Sequence, residues 1–171
     1  MLKIFNTQLT GLFQTIEKTS EETIEDAARL LAQSLFSEGT VYFFGKAEMM
    51  AVAYEGVTGP NAIASSSFYD KTVELTEMDT VVVSARYAAD GDALTAAEKA
   101  RAEGARTIFI GAVEKGIDVE GLPYDAVLDT KAVRGLIPQD DGTRTGFPSA
   151  ICGLYVYQAL HITVSEYMEE F

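Results

Sequence analysis

Phe5, Leu9, Leu12, Phe13 and Ile16 fall on one face of a helix, at offsets i, i+4, i+7, i+8 and i+11, while Gln8, Gln14 and Glu17 lie elsewhere. A second stripe, Ile24, Ala27, Ala28, Leu31 and Leu35, follows Ser20-Glu21-Glu22, which reads as a helix cap, and runs until Gly39. These residues predict a helical hairpin over positions 1–38. From Gly39 the pattern changes to short, nearly continuous apolar runs at Val41 to Phe44, Thr80 to Val83 and Thr107 to Ile110. Runs of that kind belong to strands covered on both faces, as in parallel sheets. Between the second and third lies DGDALTAAEKARAEGA, in which Asp90 or Asp92 caps a helix and Gly104 stops it. Strand, helix and strand at this spacing form a parallel crossover. Weaker strands are expected near Ala62 to Ser65 and Ala126 to Leu128, and Pro148 begins a final helix.

The pattern predicts one domain over residues 1–171. The hairpin at 1–38 precedes an α/β core at 39–145, and a C-terminal helix closes the chain at 146–171. The expected architecture is a three-layer α/β/α sandwich of flavodoxin type around a mainly parallel, roughly five-stranded sheet. At 171 residues and 47% hydrophobic composition, such a domain buries roughly 70% of its unfolded surface and needs no disulfide or metal to hold its core.

Charge narrows the partners. With 26 Asp and Glu against 13 Lys and Arg, the net charge is −13, which opposes binding to nucleic acid or to an anionic membrane surface. The single Cys152 excludes an intrachain disulfide and the single His161 excludes Cys/His zinc clusters, leaving open only a carboxylate-rich metal site. No cofactor is expected, and a cytoplasmic location follows from the cysteine count and the lack of a signal-like N-terminus. The segment Gly146 to Val164 has no Asp, Glu, Lys or Arg, but Pro148, Ser149, Gln158, His161 and Thr163 make a bilayer costly, so a buried or interface helix is expected.

Ligands of open parallel sheets bind at the carboxyl ends of the strands. Three loops are candidates. The first is Gly45-Lys46-Ala47-Glu48 after VYFF, where Gly45 permits close backbone approach and Lys46 adds a donor. The second is the hydroxyl run Ser65, Ser66 and Ser67. The third begins at Ser84 and Arg86 and continues through Asp90, Gly91 and Asp92 into a helix N-terminus, an anion seat to which Arg86 adds a fork of donors. Each has a plainer reading: an ordinary turn, serines satisfying their own backbone, and a surface arginine paired with Asp90 or Asp92. There is no Walker signature and no GxGxxG.

Several motifs together resemble the sugar isomerase, or SIS, domain, whose members include phosphoheptose isomerase and the isomerase half of glucosamine-6-phosphate synthase. They are VYFFG, the spacing Glu55, Gly59, Pro60 running into Ala64-Ser65-Ser66-Ser67-Phe68, and MDTVVVSA followed by ARAEGARTIFIGA. Family members usually carry a serine in the first loop and a serine cluster in the third. Here Lys46, Glu48 and Met49 occupy the first, and Ser84, Ala85, Arg86 and Tyr87 the third, which places the chain in a divergent branch.

The resemblance implies a sugar phosphate or similar small anion as ligand. It makes Glu55 the candidate catalytic base and His161 the candidate acid or ring-opening group, since an aldose-ketose isomerase must move a proton between adjacent carbons. The alternative leaves Glu55 facing solvent at a helix end and His161 packed in an apolar helix. Two functions are therefore expected to compete, a sugar-phosphate isomerase of phosphoheptose-isomerase type and a non-catalytic phosphosugar sensor, with a ligand-free scaffold as a third class. A homodimer or homotetramer is also expected, because the last helix is apolar on every face.

Overall fold

The computed structural model describes residues 1–170. The chain opens with α1 (Leu2–Phe36) and enters the sheet at β1 (Val41–Gly45). A 3-10 turn, Ala47–Met49, leads into α2 (Met50–Thr58), followed by β2 (Ser66–Phe68), β3 (Thr80–Tyr87), α3 (Gly91–Ala102), β4 (Arg106–Ala112) and β5 (Ala126–Asp129). A small hairpin of β6 (Ile137–Pro138) and β7 (Arg144–Thr145) precedes α4 (Ser149–Glu169). The main sheet has the order β2-β1-β3-β4-β5, with every pairing parallel. This order reverses direction between β1 and β3, and open parallel sheets place their binding crevice outside the carboxyl ends of the strands at such a switch point.

The expected helical hairpin is instead one continuous helix. The apolar stripe of its first half runs in phase through Ser20, itself buried, into Ile24, Ala27 and Leu31. No glycine or proline interrupts residues 12–38. Ser20 is thus a small core residue rather than a cap. The Thr15 and Thr19 hydroxyls donate back to the Gly11 and Thr15 carbonyls, so those side chains are satisfied within the helix. Ser37 caps the C-terminus, and Gly39 has a different role. A Cβ there would stand 1.9 Å from the Met78 carbonyl oxygen, so only glycine fits where the chain turns toward β1.

Strand residues alternate between two cores. Val41, Phe43, Val82, Ile108, Ile110 and Leu128 pack with α1, α2 and α4, whereas Val81, Val83, Ala85 and Phe109 face α3. Both faces are covered, which is why these strands read as unbroken apolar runs. The α3 face is built from Ala93, Ala97 and Ala100, whose small side chains let the helix lie close on the sheet. At the amino ends of the strands, carboxylates tie down loops. Asp79 accepts from the Thr40 and Thr76 amides at 2.8 Å each, and Asp125 accepts from the Thr107 amide at 2.7 Å.

Two strand expectations shift. The segment Ala62 to Ser65 is a turn, with buried Ile63 as its apolar anchor, and β2 begins only at Ser66. The β6–β7 hairpin, with two residues per strand, carries too little alternation to read from sequence. Among the described residues no helix is long and apolar enough to cross a membrane.

Candidate functional site

The loops after β1 and β3 meet at the switch point of the sheet. Lys46 continues the ladder, its amide donating to the Ser84 carbonyl at 3.0 Å. Ala47 then adopts φ 51°, a left-handed conformation that a non-glycine residue takes only under constraint. This strained residue separates Lys46 from Glu48, the two charged side chains of the loop. Packing within the chain already calls for Gly45, because a Cβ would lie 2.6 Å from the Met50 Cα at the start of α2.

Each cation here is met by a carboxylate. Lys46 Nζ lies 2.8 Å from Asp90 Oδ2 and 2.9 Å from Asp92 Oδ2. These bonds hold the Lys46 ammonium above its ordinary pKa. Arg86 forks onto Glu48, with Nε to Oε1 at 2.6 Å and Nη2 to Oε2 at 2.8 Å, and its guanidinium sits 5.5 Å from the Phe147 ring centroid. Glu48 Oε1 also accepts from the Ser149 hydroxyl at 2.7 Å. The Arg86 bond first and the Ser149 bond second hold the Glu48 carboxyl down at about 2, against the opposing effect of burial.

The α3 N-terminus is already capped from within the chain. Asp90 Oδ1 accepts from the Asp92 and Ala93 amides, while Gly91 is exposed at the first turn. Burial pushes the Asp90 carboxyl up, but Lys46 and the amide donors outweigh it and the net shift is downward. Ser84 is buried, and its hydroxyl is committed to the Phe44 and Met49 carbonyls at 2.8 and 3.1 Å. It ties β3 to the end of β1 and to the turn that follows it. The plainer reading of Arg86 is therefore half right: the arginine is paired, but with Glu48, and it is Lys46 that takes Asp90 and Asp92.

Ser65, Ser66 and Ser67 do not join this group. Ser66 and Ser67 form β2, in register with Val41 and Tyr42 at the amino end of β1. Those positions lie about 10 to 13 Å from Gly45 along β1, at roughly 3.3 Å per residue. Ser66 donates to the Gly56 carbonyl at 3.1 Å, and Ser65 and Ser67 are exposed.

Glu55 and His161 form a separate neighbourhood. Glu55 lies on α2 about 7.5 Å beyond its first residue at 1.5 Å per residue, and folds back on the turn that follows. Its Oε1 accepts from the Asn61 amide at 3.3 Å and from the Asn61 and Gln158 side chains at 3.4 Å. The Tyr157 hydroxyl donates to the Asn61 carbonyl, and the Tyr157 ring is 6.2 Å from that of His161. Glu55 and His161 thus flank the same tyrosine, with no hydrogen bond between them. Cys152 is buried in α4, and burial pushes its thiol up to about 11, far from a nucleophilic thiolate. Among the described residues, no group of three or more His, Cys, Asp or Glu could hold a metal ion.

Sequence reasoning did not assign Glu48, Phe147 or Ser149 to the site. Glu48 stood in a candidate loop with the right charge, whereas Phe147 and Ser149 reach it only because α4 begins beside the loop after β1.

Residues 1–168 match the family described as Domain of unknown function (DUF2529). The chain belongs to the DUF2529 family. The DUF2529 chain is also 36% identical over 174 residues to the Uncharacterized protein YwjG of Bacillus subtilis (strain 168), across 100% of this chain and 99% of that one. Among solved structures, it is similar to the phosphoheptose isomerase GmhA of Neisseria gonorrhoeae. The TM-score is 0.71 at 14% identity, with 95% of this chain and 97% of that one covered. It is similar as well to the Vibrio vulnificus NanR protein complexed with ManNAc-6P, with a TM-score of 0.75 at 11% identity. That match covers 99% of this chain and 63% of NanR. These likenesses show the SIS fold, in a branch divergent in sequence from both proteins that share it.

Proposed function

We propose that this DUF2529 protein binds a phosphosugar at the loops after β1 and β3 and does not turn it over. The observation that carries this reading is the Arg86 fork onto Glu48. A bidentate carboxylate occupies the guanidinium much as two phosphate oxygens would. Lys46 stands in the same crevice with two further carboxylates, so an arriving phosphate dianion exchanges places with side chains of the chain itself. Binding then frees Glu48 and the start of α4 where Ser149 holds it, and that rearrangement is the signal a sensor needs. NanR, on the same fold, is a protein complexed with ManNAc-6P.

The absence of turnover in this reading rests on Glu55. Its carboxylate pins the turn at Asn61 and contacts α4, and neither it nor His161 shares a hydrogen bond with Lys46, Glu48 or Arg86. One arrangement favours the isomerase as a second reading, namely that Glu55 and His161 flank Tyr157 in a fold shared with phosphoheptose isomerase. A thermal-shift screen of pentose, hexose and heptose phosphates, followed by product assays on every stabilising compound, separates the two. Stabilisation without product supports the sensor, product formation supports the isomerase, and no stabilisation by any compound refutes both.

A further inference from the structure

A second cavity, of about 470 Å³, opens between the amino-terminal half of α1 and the segment that follows β5. It is lined by Lys131, Arg134 and Arg144 together with Thr7, Gln8 and Gly11 of α1. Its volume is in the range of small-molecule sites. The chain has only 13 Lys and Arg against 26 Asp and Glu, yet three of those cations face this one space, and no lining residue is acidic.

The three cations differ in how far their charge is neutralised. Lys131 pairs with Asp129 at 2.8 Å. Arg144 donates from Nε to the Gly135 carbonyl at 2.6 Å and from Nη2 to the Leu136 carbonyl at 3.1 Å. Those acceptors are neutral, so they fix the guanidinium in place and leave its charge uncompensated. Arg134 is exposed and makes no hydrogen bond or ion pair with any described residue. This contrasts with the crevice at Arg86 and Lys46, where every cation has a carboxylate.

Gly11 adds an independent observation. It sits inside a helix, where alanine is the better residue, and nothing lies within 4 Å of the place its Cβ would occupy. Packing within the chain does not call for glycine there. Its bare backbone widens the cavity wall and lets a ligand approach α1 closely. Lys131, on the opposite wall, is held at φ 58° by its own amide, which donates to Asp129 Oδ1 at 2.9 Å. Constrained left-handed backbone at a non-glycine residue recurs at ligand clamps.

We propose that this cavity is a second anion-binding site, distinct from the crevice at Arg86, and that it takes a small organic phosphate. Two fixed or free guanidiniums supply charge-assisted donors to phosphate oxygens, and Leu12, Val133 and Leu136 supply an apolar floor for a short organic body. The net charge of −13 does not forbid this, because salt screens it beyond about 8 Å while the guanidiniums act at contact.

The test is an amide NMR titration of the full chain with inorganic pyrophosphate, which carries phosphate oxygens and no sugar. Saturable shifts at Gly11, Arg134 and Gly135 are expected. Arg134→Glu, at an exposed side chain without partners, should weaken that binding at least tenfold and leave the melting temperature unchanged. Arg86→Ala should leave these shifts and their midpoint as they are. Shifts confined to residues 45–48 and 84–92, no saturable shift, or an unchanged midpoint in Arg134→Glu would each overturn the site, and none of these results depends on whether a phosphosugar binds at Arg86.

Discussion

Arg86, near the carboxyl end of β3, and Glu48, in the turn after β1, meet through two parallel N–H to oxygen bonds of 2.6 and 2.8 Å, and this fork spans the sheet's switch point. If a phosphate uses this guanidinium as proposed, the Glu48 carboxylate is a built-in competitor. Glu48→Gln removes its charge and keeps its shape. Phosphosugar affinity should rise severalfold, up to about tenfold, since a neutral amide surrenders the arginine more readily. Calorimetry that gives an equal or weaker affinity in this variant removes the competitor role.

The same fork makes stability depend on acid. The Glu48 carboxyl is held at about 2 against an ordinary 4.5. A depressed folded value stabilises fully above the unfolded one, so the contribution is complete above pH 4.5 and is lost as pH falls toward 2. With the guanidinium half-exposed and screened, the loss is on the order of 1 to 2 kcal/mol. Paired melts of wild type and Glu48→Gln should show a stability difference at pH 5 that closes by pH 2. A difference that stays constant across this window would contradict the pairing.

The proposed reading gives Glu55 a structural role at the turn at Asn61. Glu55→Ala removes the acceptor for the Asn61 amide and should cost about 1 kcal/mol, lowering the melting temperature by roughly 2 to 4 °C for a chain of this size. Phosphosugar affinity should not change. A large loss of affinity with an unchanged melt would move Glu55 into the ligand site and revive its role as a base.

The central strands were legible because β1, β3 and β4 are buried on both faces and so read as short unbroken apolar runs, ended by glycine or polar residues. The crossover helix was legible for a local reason, since Asp90 caps it with its own side chain. Ser20-Glu21-Glu22 misled because a small polar residue at a crowded core position looks identical in sequence to a cap. Ser65 to Ser67 misled through register, as buried Ile63 imitated the strand and the true strand starts after it. The position of Arg86 at a strand's carboxyl end was readable, but its partner was not. Glu48, Asp90 and Asp92 carry the same charge, and the choice among them depends on the left-handed Ala47 that turns the first loop toward β3.

The expectation of an assembly rests on apolar side chains that the fold leaves uncovered. Val156 and Leu160 are buried within the chain, and Phe13 stacks on Tyr155 at 4.3 Å, so much of the apolar character of α4 and α1 is satisfied internally. Ile151 and Ile162 on α4, and Leu2 and Ile4 on α1, remain exposed. We expect a homodimer or homotetramer at micromolar concentration, with these residues at the contact. Light scattering should give a mass of at least twice 18.5 kDa, reduced by Ile162→Glu. A stable monomer would refute the assembly.

The most direct test of the account is calorimetric titration of wild type and Arg86→Ala with the phosphosugar that most stabilises the wild type. A charge-assisted fork contributes roughly 1.5 to 3 kcal/mol, so Arg86→Ala should bind at least tenfold more weakly, with no product formed by either protein. Equal affinity in the two proteins would contradict a phosphate seat at Arg86.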